Sequence, residues 1–197
     1  LIIAGIAGWI SEAIGGEHGL GLSPSAMGWF ILAEAMIFVS FIVSYWYMRL
    51  SAPAWPPAGS VELPTVMPLI MTLILVSSSF TMHFSEERLE HNDHAGFLKW
   101  LLITMVLGVS FLSISVYEWT HLFHDGFTFS TNVYSTAFFT ITGFHGAHVV
   151  VGLSIFMAIL VPALMGKTNL SFVKTGSLYW HFVDIIWFFV VSQVYFW

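Results

Sequence analysis

Apolar positions in this chain gather into five long runs, with short polar breaks between them. The runs cover about 26–50, 64–84, 98–121, 134–165 and 177–197. Each is long enough to cross a hydrocarbon core of roughly 30 Å, for which a helix rising 1.5 Å per residue needs about 20 apolar residues. The fourth run exceeds what a straight crossing requires, so it is expected to tilt or to project beyond the bilayer. The opening stretch, Leu1 to Ile14, is apolar but too short to span. It reads as the end of a preceding, truncated helix, with a short interfacial helix as the alternative. The expected fold is all-α: a polytopic transmembrane helix bundle, a single domain over 1–197, with five full spans and the tail of an earlier one.

The breaks carry turn chemistry. Ser51-Ala-Pro-Ala-Trp-Pro-Pro-Ala-Gly59 is a stiff loop that no helix can run through. Glu86-Glu-Arg-Leu-Glu90 through His94 reads as a charged loop, and His124-Asp-Gly126 and Gly166-Lys-Thr-Asn169 read as turns. With alternating spans, Arg88, Lys99, Lys167 and Lys174 fall on one side and Arg49 on the other. Cytoplasmic loops hold the excess of Lys and Arg. The 85–98 and 166–176 loops are therefore expected in the cytoplasm and the C-terminus outside.

Composition explains why the runs must face lipid. Hydrophobic residues make up 57% of the 197 and charged residues 8%, against roughly 25% charged in a soluble domain. There is no cysteine, which excludes disulfides, thiolate metal sites and thiol nucleophiles. The net charge of −6 leaves no basic footprint for nucleic acid. Trp29, Trp46, Trp55, Trp100, Trp119 and Trp197 stand near span ends, where indoles anchor at the interface.

Ionisable groups within spans are costly, roughly 2.5–3.5 kcal/mol for a charge at the centre, and need a reason. Six stand out: Glu34, Glu118, His145, His148, His181 and Asp184. By rise per residue, Glu34 lies roughly 12 Å from the cytoplasmic end of its span, and His181 and Asp184 roughly 6 to 11 Å from theirs. His148 sits in the cytoplasmic half of the fourth span, so these residues share a depth. Glu118 lies apart, near the outer end. Glu34 admits three readings: a proton-relay carboxylate, a protonated carboxyl bonded to a neighbouring helix, or a group facing headgroups or a partner. Glycines Gly143, Gly146 and Gly152 point to close helix packing.

His91-Asn-Asp-His94, His121-Leu-Phe-His124 and His145-Gly-Ala-His148 form three HxxH pairs. Membrane di-iron enzymes use such pairs. Here one pair falls in the cytoplasmic loop, one at the outer end and one within the membrane, too far apart for one metal pair, and facing ExxH motifs are missing. A b-type haem between spans is the other redox reading. A transporter is a further alternative, but broken helices and a repeat pair are missing.

Taken in order, the motifs resemble subunit III of the haem-copper terminal oxidases. They are Ala33-Glu-Ala-Met-Ile-Phe38, Trp55-Pro-Pro57 with Glu62-Leu-Pro64, Tyr117-Glu118, Thr142-Gly-Phe-His-Gly-Ala-His-Val149 and Tyr179-Trp-His-Phe-Val-Asp-Ile-Ile-Trp187. The resemblance covers nearly the whole chain. It implies a non-redox accessory subunit of a proton-pumping oxidase. Such a subunit holds no haem or copper, packs against subunits I and II, and belongs to a respiratory complex that extends to supercomplexes. It binds phospholipid in a V-shaped cleft and supports proton uptake and the durability of subunit I. It also implies an integral protein of the bacterial cytoplasmic membrane. Glu34, His145 and His148, with Trp9 and Glu12 of the opening stretch, become proton-uptake and lipid-cleft candidates. His181, Asp184 and Glu118 become structural polar residues. No metal ligand and no catalytic residue is assigned. The same subunit of a quinol oxidase is the near alternative to a cytochrome c oxidase. Two departures matter: Ser25-Ala26-Met27 stand where the family carries an Arg, and Ala33 replaces a Ser beside the carboxyl. Glu17 and His18 lie in roughly the region of cleft-lining residues, with different spacing.

Overall fold

The computed structural model describes residues 24–197. The opening stretch 1–14, with Trp9 and Glu12, and also Glu17 and His18, lies outside the described residues. Five helices follow in chain order: α1 Pro24–Ser51, α2 Val66–Glu90, α3 His94–His124, α4 Val133–Leu164 and α5 Leu170–Val194. All five are long and apolar enough to cross a membrane, and the described residues contain no strand. The chain is an all-α integral membrane bundle.

Two of the loops expected from the charge pattern turn out shorter. The charged segment after Phe84 stays helical to Glu90, and α3 already begins at His94. Glu and Arg are good helix formers, and Arg88 in the last turn of α2 suits the negative end of the helix dipole. The reversal is confined to His91, Asn92 and Asp93. Asn92 takes the left-handed conformation, φ 58°, which Asn tolerates. Asp93 then caps α3 by accepting the Gly96 N–H at 2.9 Å. In the same way Asn169 caps α5 early, by accepting from the Phe172 N–H, so the helix starts at Leu170, within the expected 166–176 loop. At the other end Asn132 and Ser135 form a reciprocal capping box that starts α4.

The bundle is layered. α4 and α5 form the central pair, α1 packs on one side against both, and the α2–α3 hairpin packs on the other, α2 on α5 and α3 on α4. The centre holds large rings: Trp180, Trp187, Phe38, Phe111, Phe138 and Phe156 are almost fully buried. Glycine makes one of these fits possible. The Trp180 indole lies between Gly108 of α3 and Gly152 of α4, where a Cβ would come within 2.8 and 2.6 Å of its ring. Gly143 likewise admits Trp119, with 2.8 Å to a would-be Cβ. Gly146 does not share this role, since no described atom lies within 4 Å of its would-be Cβ.

Both ends of the bundle are tied. At one end Lys174 of α5 pairs with Glu90 of α2 at 2.6 Å, and His94 Nε2 meets the Ala163 carbonyl at 2.8 Å. At the opposite end Arg49 donates to the Trp197 carbonyl and lies over its indole at 4.2 Å. Tyr134 donates to the Val194 carbonyl at 3.0 Å there.

Candidate functional site

Glu34 of α1 and His148 of α4 meet across the helix interface, Oε2 to Nε2, at 3.2 Å. His148 Nδ1 lies 2.8 Å from the Phe144 carbonyl one turn earlier. A carbonyl can only accept, so Nδ1 carries a proton and donates it. Nε2 therefore faces the carboxyl as the remaining ring nitrogen. The contact holds together with a single proton between the two groups, on the carboxyl or on the ring. The first arrangement is a neutral acid donating to imidazole, the second an ion pair.

Aromatic rings enclose the pair. Phe144 and Phe38 stand 4.7 and 5.1 Å from the His148 ring, and Tyr179 stacks on it at 6.5 Å and 15°. The His148 side chain is 10% exposed and that of Glu34 20%. In this largely apolar wall each group is the other's polar partner, and removing either leaves the other without one.

His145, one turn away, has a different fate. It is 1% exposed, and neither ring nitrogen has a hydrogen-bond partner among the described residues. Trp187 lies 5.0 Å from its ring and Phe111 5.7 Å. It fills the aromatic centre of the bundle, against rings of α3 and α5, and makes no contact with the Glu34 carboxyl among the hydrogen bonds of the described residues.

His181 and Asp184 do not join Glu34. They lie on the far side of α5 and converge on Ser79 of α2. His181 Nδ1 is 2.8 Å from Ser79 Oγ, and Ser79 in turn donates to Asp184 Oδ2. The shared depth expected for these residues thus hides a lateral separation, because α5 itself stands between the two polar centres. Around Ser79 run two parallel ties: Trp180 Nε1 donates to Ser78 Oγ and Trp187 Nε1 to Thr72 Oγ1, both at 2.9 Å. Glu118 is 3% exposed and accepts from the Tyr195 hydroxyl at 2.7 Å, joining α3 to the end of α5.

Sequence reading overlooked Thr72, Ser78, Ser79 and Tyr195. A signal existed: Ser77-Ser78-Ser79 interrupts the middle of an otherwise apolar run. Among the described residues, no three His, Asp or Glu side chains gather as a metal site would need. The three HxxH pairs sit at three separate places, His91 and His94 at one end, His121 and His124 at the other, and His145 and His148 within.

A family model described as cytochrome c oxidase subunit III matches residues 10–197. The chain belongs to the cytochrome c oxidase subunit III family. A member of this family is one subunit of an oxidase complex, not a catalyst by itself. Cytochrome c oxidase subunit 3 of Synechocystis sp. is 39% identical over 170 residues, covering 84% of this chain and 72% of that protein. The subunit 3 of Thermostichus vulcanus is 34% identical over 170 residues, 84% of this chain and 83% of that one. The probable subunit 3 of Nocardia farcinica is 34% identical over 168 residues, 83% and 82%. In this subunit III chain the Glu34–His148 pair lies on the α1 side of the bundle, and the Ser79 cluster lies on the α2 side.

Proposed function

We propose that this chain is a non-redox accessory subunit of a proton-pumping haem-copper oxidase in aerobic respiratory electron transport. It packs beside subunits I and II, binds phospholipid and supports proton uptake and the durability of the catalytic subunit. The relatives' names favour cytochrome c as the electron donor. Haem and copper belong to the partner subunits in this reading. A b-haem here would need ring nitrogens on facing helices, but His145 and His148 share one helix, and both nitrogens of His148 are engaged.

The observation that carries the reading is the 3.2 Å contact between the Glu34 carboxyl and His148 Nε2 inside a membrane-spanning bundle. A half-buried acid–base pair can pass a proton to neighbouring water or lipid and retake it with little rearrangement. The cations Arg88, Lys99, Lys167 and Lys174 gather at one end of the bundle, which supports the reading that this end faces the cytoplasm of a bacterial cell and Trp197 the outside. Glu34 is then nearer the proton-uptake side.

Glu34→Gln in the intact oxidase is the test. Gln still donates to His148 Nε2 but offers no exchangeable acidic proton. Expected are normal assembly, less retained phospholipid measured as bound phosphorus, and faster loss of activity during sustained turnover. Unchanged phospholipid together with an unchanged activity lifetime would refute the role given to Glu34.

A further inference from the structure

We propose a phospholipid site on the outer face of α3 and α4, where an anionic headgroup meets Lys99 and one acyl chain lies in the groove between the two helices. It is separate from the Glu34–His148 pair and independent of the reading given to that pair.

The groove runs along α3 from Leu102 through Val106, Ser110 and Ser113 to Ile114, and is walled on the α4 side by Met157 and Leu160. Its serines do not make it polar. Ser110 Oγ donates to the Val106 carbonyl and Ser113 Oγ to the Val109 carbonyl, each at 2.8 Å, so both hydroxyls turn onto their own helix. What they leave is a shallow trough, because Ser is small between the larger Leu102 and Met157.

The trough has a length and a polarity that single out an occupant. From Leu102 to Ile114 the helix rises about 18 Å, close to the half-thickness of roughly 15 Å that one leaflet offers an acyl chain. Lys99 stands one turn before Leu102 on the same stripe of α3, at the end of the bundle where the loops are charged. Its ammonium lies 5.7 Å from the adjacent Trp100 ring, at the interfacial level where indoles settle. No carboxylate pairs with it among the described residues, whereas the neighbouring Glu90 and Asp93 are already engaged by Lys174 and Arg88. A cation with no carboxylate partner among the described residues, one helical turn before the first residue of an apolar trough, matches a phosphate headgroup above a hydrocarbon tail.

The intact oxidase, reconstituted with phosphatidylglycerol carrying a photoreactive group in its acyl chain, tests this. Phosphatidylcholine with the same group is the control. Cross-linked peptides are mapped by mass spectrometry. Phosphatidylglycerol is expected to label the Val106 and Met157 segments in roughly fivefold excess over phosphatidylcholine, the ratio one lysine near an anionic lipid supports. Lys99→Gln is expected to abolish that excess. Val106→Trp fills the trough from a position 64% exposed, so the fold tolerates it. It is expected to reduce labelling at Met157 while labelling elsewhere stays the same. Equal labelling by the two lipids would mean ordinary annular lipid and overturn the proposal. So would an unlabelled groove in the assembled complex, which would mean that a partner subunit covers it.

Discussion

At the scale of single residues, the bundle gives two neighbouring histidines opposite roles. His148 donates through Nδ1 to its own helix and meets the Glu34 carboxyl through Nε2. His145 makes no hydrogen bond to any described residue and is held by rings. Removing a polar group that has no partner relieves a desolvation cost, while removing one half of a pair leaves the other half stranded. His145→Leu is therefore expected to change stability by less than about 1.5 kcal/mol, since the two side chains are close in volume. His148→Leu is expected to cost roughly 1–3 kcal/mol, the penalty of leaving the half-buried Glu34 without its partner. Thermal dissociation of the subunit from the purified oxidase compares the two. Equal losses would contradict the division of roles. None of this asymmetry was legible from the spacing, which places both histidines on one helix face. The face spans more than one environment, and only the neighbours' positions assign each ring to one of them.

At the scale of elements, α5 is registered on α2 by a short row of polar ties: Trp187 to Thr72, His181 and Asp184 to Ser79, and Trp180 to Ser78. In membranes an interhelical hydrogen bond contributes on average about 0.6 kcal/mol. A row of such bonds adds little stability against the packing of buried tryptophans. Its effect is on register, because the wrong register strands every partner at once. Ser79 is the member whose loss is felt most, since it serves both His181 and Asp184. Ser79→Ala is expected to cost roughly 1–2 kcal/mol, near the upper end for such bonds. Ser78→Ala, which strands only the Trp180 N–H, is expected to cost less. Chemical or thermal dissociation of both variants orders them, and a larger loss for Ser78→Ala would reverse the assignment. Here the sequence hinted at the tie through the serine run and through Trp180, His181, Asp184 and Trp187 on successive turns. It could not say that the serines were the partners, because helix pairing in a bundle is a property of topology.

At the scale of the whole molecule, α4 and α5 are covered on both sides while α1 shows most of its surface outward, with Trp29 and Tyr47 74% and 73% exposed. In lipid an exposed apolar face is no liability, and it leaves α1 free to meet acyl chains or another subunit. The orientation is testable because the chain has no native cysteine. Single substitutions His91→Cys and Ser130→Cys lie at opposite ends of the bundle. A membrane-impermeant thiol reagent added to intact cells is expected to label Ser130→Cys and spare His91→Cys, with the converse in inverted vesicles. The reverse pattern would invert the orientation argued from Lys and Arg.

By itself the sequence determined that the chain lives in a membrane and crosses it as helices. Hydrocarbon offers the backbone no partner, so apolar runs of this length must satisfy their own hydrogen bonds as helices. It also showed which polar residues sit inside those runs, and their order carried the family resemblance. The tertiary structure alone decided which of them meet. Depth along a helix follows from counting residues. The direction a side chain faces becomes a contact only once the helices are placed, and α5 stands between Glu34 with His148 on one side and Ser79 with His181 and Asp184 on the other.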